Sequence, residues 1–288
     1  MNLSNDLLVT LMFENQTTRA SVARLNTSWG KIRANHNNLP REASNILGQL
    51  TVASILLSST IKHKGSVALQ VYGRGIIKLG YAECNSNFNF KSTLKLKKNP
   101  KKIENLSFKN MINGSKEGIF SVLIDQKIKN QKPYQGIIPI EGDNVSEMIG
   151  NYLKNSEQID SELILSSNSK TATGLLIQKM PSKKNETDME WLKLSKITSQ
   201  ISPDILNQDN TLTIIDKLFG SLQYKVLKIK TPIFSCHCSP DRAKKILKIL
   251  GGEDTKKLVS PEGKIEVKCD FCNRQFSFDQ DEYSNLFI

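Results

Sequence analysis

The sequence predicts an α+β fold in three parts: a large core of mixed strands and helices, a short helical linker and a small C-terminal four-cysteine zinc module. Three observations carry this. Apolar residues switch between helical spacing and alternation without a steady strand–helix beat. The texture changes at "PSKKNETD", a polar stretch bearing a proline. Four of the five cysteines fall in "FSCHCSPDR" and "KCDFCNRQF", both near one end. At 288 residues and 38% hydrophobic, the chain is long enough for one large domain plus a small one. The parts are a core over 1–182, a helical linker over 183–230 and a C-terminal four-cysteine domain over 231–288.

Each element has its own signal. In the core, "LPREASNILGQLTVASILLSSTIKH" predicts a helix with Pro40 in its first turn. Ile46, Leu47, Leu50, Ala53, Ile55 and Leu57 give it a broad apolar face. "GSVALQVYGRGIIKLGYAEC" then alternates, Val67, Leu69 and Val71 against Ala68, Gln70 and Tyr72, with "GRG" as a hairpin turn. "GIFSVLID" and "YQGIIPIEG" read as further strands. "DNVSEMIGNYLKNSEQ" is a helix capped by Asp143 or Asn144, with Val145, Met148, Ile149 and Tyr152 inward. "SELILSS" and "TGLLIQKMP" return to strands.

Two short helices follow, in "TDMEWLKLSKITSQI" and in "NTLTIIDKLFGSL", the second ending at Gly220. They are weakly amphipathic and rich in β-branched residues, so they are marginal alone and need docking. The final part opens with "YKVLKIKTPIFSCHC". There Ser239 caps, Pro240 starts and Gly251 stops a helix with Ala243, Ile246, Leu247 and Leu250 inward. "KIEVKC" and "RQFSF" are its strands.

No apolar run approaches the roughly eighteen residues that span a bilayer. The start, "MNLSNDLLVTLMFENQTTRA", lacks the marks of a signal peptide, so a cytoplasmic, reducing compartment is expected, without a membrane partner. There, paired cysteines mean metal or redox chemistry. The net charge of +12 favours acidic partners. Its densest cluster, "KSTLKLKKNPKK" over residues 91–102, reads as a solvated hairpin or loop ahead of a binding patch.

Cys236 and Cys238 form C-x-C, and Cys269 and Cys272 form C-x-x-C. Two thiolate pairs separated by a small helix and hairpin can close a tetrahedral zinc site. Two intervening residues allow a knuckle turn, and one intervening residue in extended chain still puts both side chains on one side. Arg242, Lys268 and Arg274 lie close enough in sequence to offset the negative charge of four thiolates around zinc. In so small a module the metal's binding energy is folding energy, on the order of 10–16 kcal/mol in zinc-finger peptides. Each pair also lies within the Cα reach of a disulfide, so oxidation can be turned into local unfolding. His237 reads as a bystander, and Cys84 in "YAECNSN" as a half-buried, apolar-like residue.

C-x-C, about thirty residues, then C-x-x-C at the C-terminus resembles the heat shock protein 33 family, the redox-regulated bacterial chaperones. "YQGIIPIEGDNVSEMIGNYLKNSEQ", followed by "TGLLIQKMP", looks like that family's core segment, and "CDFCNRQFSF" like its terminal zinc knuckle. The likeness runs over essentially the whole chain. It implies an ATP-independent holdase that binds unfolding client proteins under oxidative stress. One zinc on Cys236, Cys238, Cys269 and Cys272 keeps the reduced monomer inactive. Oxidation to disulfides Cys236 with Cys238 and Cys269 with Cys272 releases zinc and unfolds the module and linker, and the oxidised form is a homodimer. The chain departs from familiar members in being basic where they are acidic, which bears on client preference and leaves the four ligands untouched.

The alternative is a basic zinc-ribbon nucleic-acid-binding protein. Against it, Phe271, Phe276 and Phe278 read as core residues, not as base-stacking platforms, so nucleic acid is an unlikely partner. An enzyme is not expected. His36, His63 and His237 are far apart, no H-E-x-x-H, G-x-S-x-G or P-loop is present, and four protein ligands leave zinc no open position.

Overall fold

The computed structural model describes residues 6–14, 16–97, 107–113, 117–128, 132–181, 189–261 and 263–287. The polar boundary at 182–188 and the basic residues 98–102 lie outside the described residues. The chain divides into two compact units, Met1–Phe234 and Ser235–Ile288.

In the larger unit, β1 (Leu7–Phe13) and β2 (Thr18–Leu25) pair antiparallel, and the period-2 alternation of each strand is apolar on both sides. Leu8, Ala23 and Leu25 point into one core; Leu7, Val9, Leu11, Phe13, Ala20 and Val22 point into another. α1 (Thr27–Asn35) starts where the Asp6 carboxylate accepts from the Asn26 and Ser28 backbone N–H groups. Its Trp29 is buried and donates through Nε1 to the Asn168 carbonyl at 2.8 Å.

α2 (Arg41–Thr60) buries 14 of its 20 residues, so it is surrounded on all sides, not laid on one sheet by one face. Pro40 is the N-cap residue, one position earlier than the sequence places it, and its extended ψ of 153° starts the helix at Arg41. On one side of α2 lies an antiparallel sheet of β3 (Ser66–Tyr72), β4 (Ile77–Asn85) and β5 (Asn89–Leu96), then, after α3 (Phe108–Ile112), β6 (Ile119–Asp125) and β7 (Tyr134–Pro139). Val67, Leu69 and Val71 face α2 as the alternation predicts, and "GRG" makes the β3–β4 turn. α4 (Val145–Asn155) is capped by the Asn144 side chain accepting from the Glu147 N–H, with Val145, Met148, Ile149 and Tyr152 buried. β8 (Ser161–Ser167) and β9 (Ala172–Lys179) join β1 and β2 on the other side of α2. Gly48 permits this approach: a Cβ there would lie 2.1 Å from Ser167 Oγ.

The outer face of this second sheet carries the linker. α5 (Met189–Ser199), a 3-10 turn (Pro203–Asn207) and α6 (Thr211–Phe219) bring Leu194, Leu206, Ile214, Ile215 and Phe219 onto Val9, Leu11, Phe13, Val22, Leu175 and Ile177. Phe219 meets Phe13 edge-on at 5.3 Å. Polar ties flank the contact. Thr17 donates to Glu190 at 2.8 Å, Ser195 to Glu162 at 2.8 Å, and Asn207 bridges Ser166 and Thr171. Three polar atoms of the same face, Thr18 Oγ1, Arg24 Nε and Thr173 Oγ1, are buried without a hydrogen-bond partner in the protein. Gly220 follows α6 as expected, but in right-handed backbone (φ −61°), so it is not a left-handed cap.

Residues 224–234, which the sequence places at the opening of the terminal part, belong to the larger unit. β10 (Tyr224–Lys230) is the edge strand beside β1, and β11 (Ile233–Phe234) pairs parallel with β5. Their partners lie some 140–220 positions earlier in the chain, which no local pattern reveals. Cys84, on β4, is fully buried rather than half-buried, because its side chain faces α2.

The smaller unit holds α7 (Pro240–Leu250), α8 (Gly252–Lys256), the hairpin β12 (Ile265–Lys268) and β13 (Gln275–Phe278), and α9 (Gln280–Ser284). Ser239 caps α7, accepting from the Arg242 N–H, and Gly251 ends it at φ +89°. Of the four α7 residues expected inward, only Ala243 and Leu247 are buried, against Ile265 and Phe278. Ile246 is 59% and Leu250 44% exposed, because so narrow a core admits one i, i+4 stripe.

Two substitutions separate the terms that hold the linker. Phe219→Ala removes a fully buried ring, at a cost of about 3–5 kcal/mol; hydrogen exchange of the amides in α5 and α6 rises at least about a hundredfold in the reduced protein. Thr18→Val exchanges an unpartnered buried hydroxyl for a methyl and acts in the opposite direction, raising the melting temperature by about 2–4 °C.

Candidate metal centre

Cys236 and Cys238 stand in extended chain just before the Ser239 cap of α7. Cys269 and Cys272 stand in the loop that closes the β12–β13 hairpin. The Lys268–Gln275 pair is the last rung, and beyond it the Cys269 N–H donates to the Arg274 carbonyl and the Asn273 N–H to the Cys269 carbonyl, both at 2.9 Å. Asn273 takes the left-handed conformation this tight turn needs, at φ +58°. Asparagine is one of the few residues that adopt it at little cost, so "CNR" is a readable turn signal in the sequence.

The four sulfurs converge, all within 4.8 Å of one another. Cys236 Sγ lies 3.6 Å from Cys269 Sγ, and Cys238 Sγ 3.3 Å from Cys272 Sγ. A tetrahedral zinc with sulfur at about 2.3 Å requires sulfurs about 3.8 Å apart. The cluster therefore has the size and the soft donor set of a structural thiolate site and can hold a metal ion.

The local field agrees. Burial pushes the Cys236 thiol well above its ordinary range and the Cys238 thiol up to about 11, with Cys269 and Cys272 adding to it at both. At Cys269 burial acts in the same sense but is outweighed by the backbone of Phe271 and Cys272 and by the Cys236 and Cys272 thiols, so its value is lowered. The Cys269 thiolate is thus favoured, and a cation would favour ionisation of Cys236 and Cys238 beside it. Cys84 lies in the larger unit, its thiol pushed up to about 12 by burial and its sulfur buried among apolar side chains. It is a poor nucleophile.

Charge is divided unevenly. The nine basic residues of Ser235–Ile288 are matched by nine acidic ones, so the whole net charge of +12 belongs to Met1–Phe234. Within the basic cluster, Lys91 pairs with Glu83 at 2.9 Å on the sheet. Phe278 is buried and Phe276 half-buried in the core of the smaller unit. Among the described residues, no helix is long and apolar enough to cross a membrane.

Comparisons with known proteins agree over the same span. The family described as Hsp33 protein matches residues 6–279. The 33 kDa chaperonin of Methylobacillus flagellatus is 32% identical over 285 residues, covering 98% of this chain and 94% of its own. That of Chromobacterium violaceum is 29% identical, covering 100% and 96%. The crystal structure of the 33 kDa chaperonin (heat shock protein 33 homolog) from Thermotoga maritima superposes with a TM-score of 0.80 at 22% identity, over 98% of this chain and 97% of that one, and shares the fold. With its four cysteines gathered in one place and the family match running from Asp6 to Asp279, the chain belongs to the Hsp33 family.

Proposed function

We propose that this chain is an ATP-independent holdase, switched by oxidation of Cys236, Cys238, Cys269 and Cys272, that binds unfolding proteins in the cytoplasm. The convergence of the four sulfurs carries the reading. Zinc, one per chain, would supply the folding free energy that the smaller unit lacks. Among its described residues that unit has four buried apolar side chains, Ala243, Leu247, Ile265 and Phe278, too few for a self-sufficient core. The domains then act as a core over 1–182, a metastable linker over 183–230 and a switch over 231–288.

The chemistry belongs to the thiolates. Hypochlorous acid takes two electrons from a pair of thiolates, which join as a disulfide; chloride and water leave. In the resting site the short sulfur contacts run between the pairs. Once ligands are lost and the unit opens, loop-closure entropy favours the near neighbours over loops of more than thirty residues. Disulfides Cys236 with Cys238 and Cys269 with Cys272 result. Cys236 follows β11 by two residues, so an unfolded terminal unit pulls on the strands that end the linker. Release of α5 and α6 uncovers the apolar outer face of the β1–β2 sheet, which holds clients and, in the oxidised form, supports a homodimer of what is a monomer when reduced. No step calls for a catalytic residue. A basic zinc-ribbon reader of nucleic acid fits less well, because Ser235–Ile288 carries no net charge.

Hypochlorite treatment of the reduced protein tests this directly. About one zinc per chain appears in a chromogenic chelator assay, and protection of a thermally unfolding client appears only afterwards. Zinc retained, or lost without protection, overturns the reading. Peptide mapping of the oxidised chain finds the two near-neighbour disulfides and no linkage to Cys84. Cys272→Ser removes one ligand, so under reducing conditions protease cuts within 235–288 rise steeply while the larger unit stays intact.

A further inference from the structure

The outer face of the β1–β2 sheet is mostly apolar, and on its central strand β2 the charged exception is Arg24, near the strand's end. Arg24 on β2 sits opposite Leu7 on β1 and Thr173 on β9, and partners across a ladder share a face. Its neighbour along that face is Val22, part of the linker-covered core. A half-buried guanidinium therefore stands on the face whose apolar part α5, the 3-10 turn and α6 cover.

Its partners are incomplete. Arg24 Nε and the Thr173 hydroxyl, 0% exposed, are both buried without a hydrogen-bond partner in the protein. Asn207, two residues before Asp209, donates to Ser166, whose ladder partner Thr173 is in turn the partner of Arg24, so the end of the 3-10 turn lies over this part of the face. Burial disfavours the Arg24 charge, and the Asp6 and Asp209 carboxylates offset part of that cost. Asp6 is committed to the core, its two oxygens accepting from the Asn26 and Ser28 N–H groups. Asp209 belongs to the linker, between the 3-10 turn and α6, where it pairs with Lys217. Releasing the linker thus removes apolar cover and one carboxylate together. What replaces it on a surface of a unit carrying the net +12 must supply both.

We propose that Arg24, with the Thr173 hydroxyl beside it, selects client segments that carry a carboxylate among apolar residues, the docked linker with its Asp209 being the resident mimic of such a segment. The inference rests on the holdase reading and names the chemistry of the client: acidic, apolar stretches of unfolding proteins. A neutral apolar segment covers the sheet but leaves the guanidinium facing it without a counter-charge.

Fluorescein-labelled peptides copying residues 203–219, with Asp209 or with Asp209→Asn, are titrated into the oxidised full-length chain, and the ratio of the two dissociation constants is read. The expected preference is roughly fivefold for the Asp209 peptide. In Arg24→Gln the ratio falls to about one; Arg24→Lys, which keeps the cation, retains part of it, and Thr173→Val lowers it. A ratio near one in the unsubstituted chain, or one unchanged in Arg24→Gln, overturns the proposal. If Arg24→Gln does not fold, salt decides on the unsubstituted chain. A contact sheltered in the face keeps its ratio at about 0.5 M salt, whereas the general field of a basic protein is screened and the ratio collapses, which overturns it. Binding without preference overturns this inference alone. Failure of both peptides to bind the oxidised chain overturns the client face itself.

Discussion

A β-sheet offers two faces to bury, and the sheet containing β1 and β2 is covered on both by unequal partners. On one side lies α2, twenty residues long and buried around its whole circumference against two sheets. On the other lie α5 and α6, eleven and nine residues long, each touching through a few side chains. Helices of that length are not stable without the surface they rest on. The outer layer therefore depends on the inner one for its stability, as the proposed release of the linker requires.

The cover also fits its seat imperfectly. Thr18, Arg24 and Thr173 each keep a buried polar atom without a protein partner on that face, and each such atom costs about 1–3 kcal/mol. The end of the segment is held more firmly. α2 has no basic residue in its last turn, so its final carbonyls depend on other elements. Arg19 donates to the Thr60 carbonyl from β2, and Lys228 donates to the Ser59 carbonyl from β10 while lying 5.3 Å from the Phe88 ring centroid.

In the smaller unit the balance is different in kind. Its hydrophobic core is a handful of side chains, and its four sulfurs crowd together in a way that favours the thiol over the thiolate at Cys236 and Cys238. A cation held there would reverse that preference and join the C-x-C segment to the β12–β13 loop, a link the apolar contacts are too few to make. In the proposed switch the same sulfurs would be the groups an oxidant attacks, whereas burial disfavours the thiolate form of Cys84.

Much of this was legible locally. Alternation in residues 66–72 gave a strand, Asn144 and Ser239 announced the caps that form, and the spacing of Cys236, Cys238, Cys269 and Cys272 announced a shared site, because each depends on neighbours a few positions away or on donor chemistry alone. What stayed hidden depends on pairing across the chain. Residues 224–230 read as the start of the terminal part, and only the empty edge of β1 makes them a sheet strand of the larger unit. Ile246 and Leu250 match the helical period of Ala243 and Leu247, yet the narrow core opposite α7 has no room for them. Arg24 looks like any arginine on a strand; its place within the covered face follows from the β2–β9 register and from the linker folding back over it. Periodicity tells which residues share a face, but which face is covered, and by what, is settled by contacts between segments far apart in sequence.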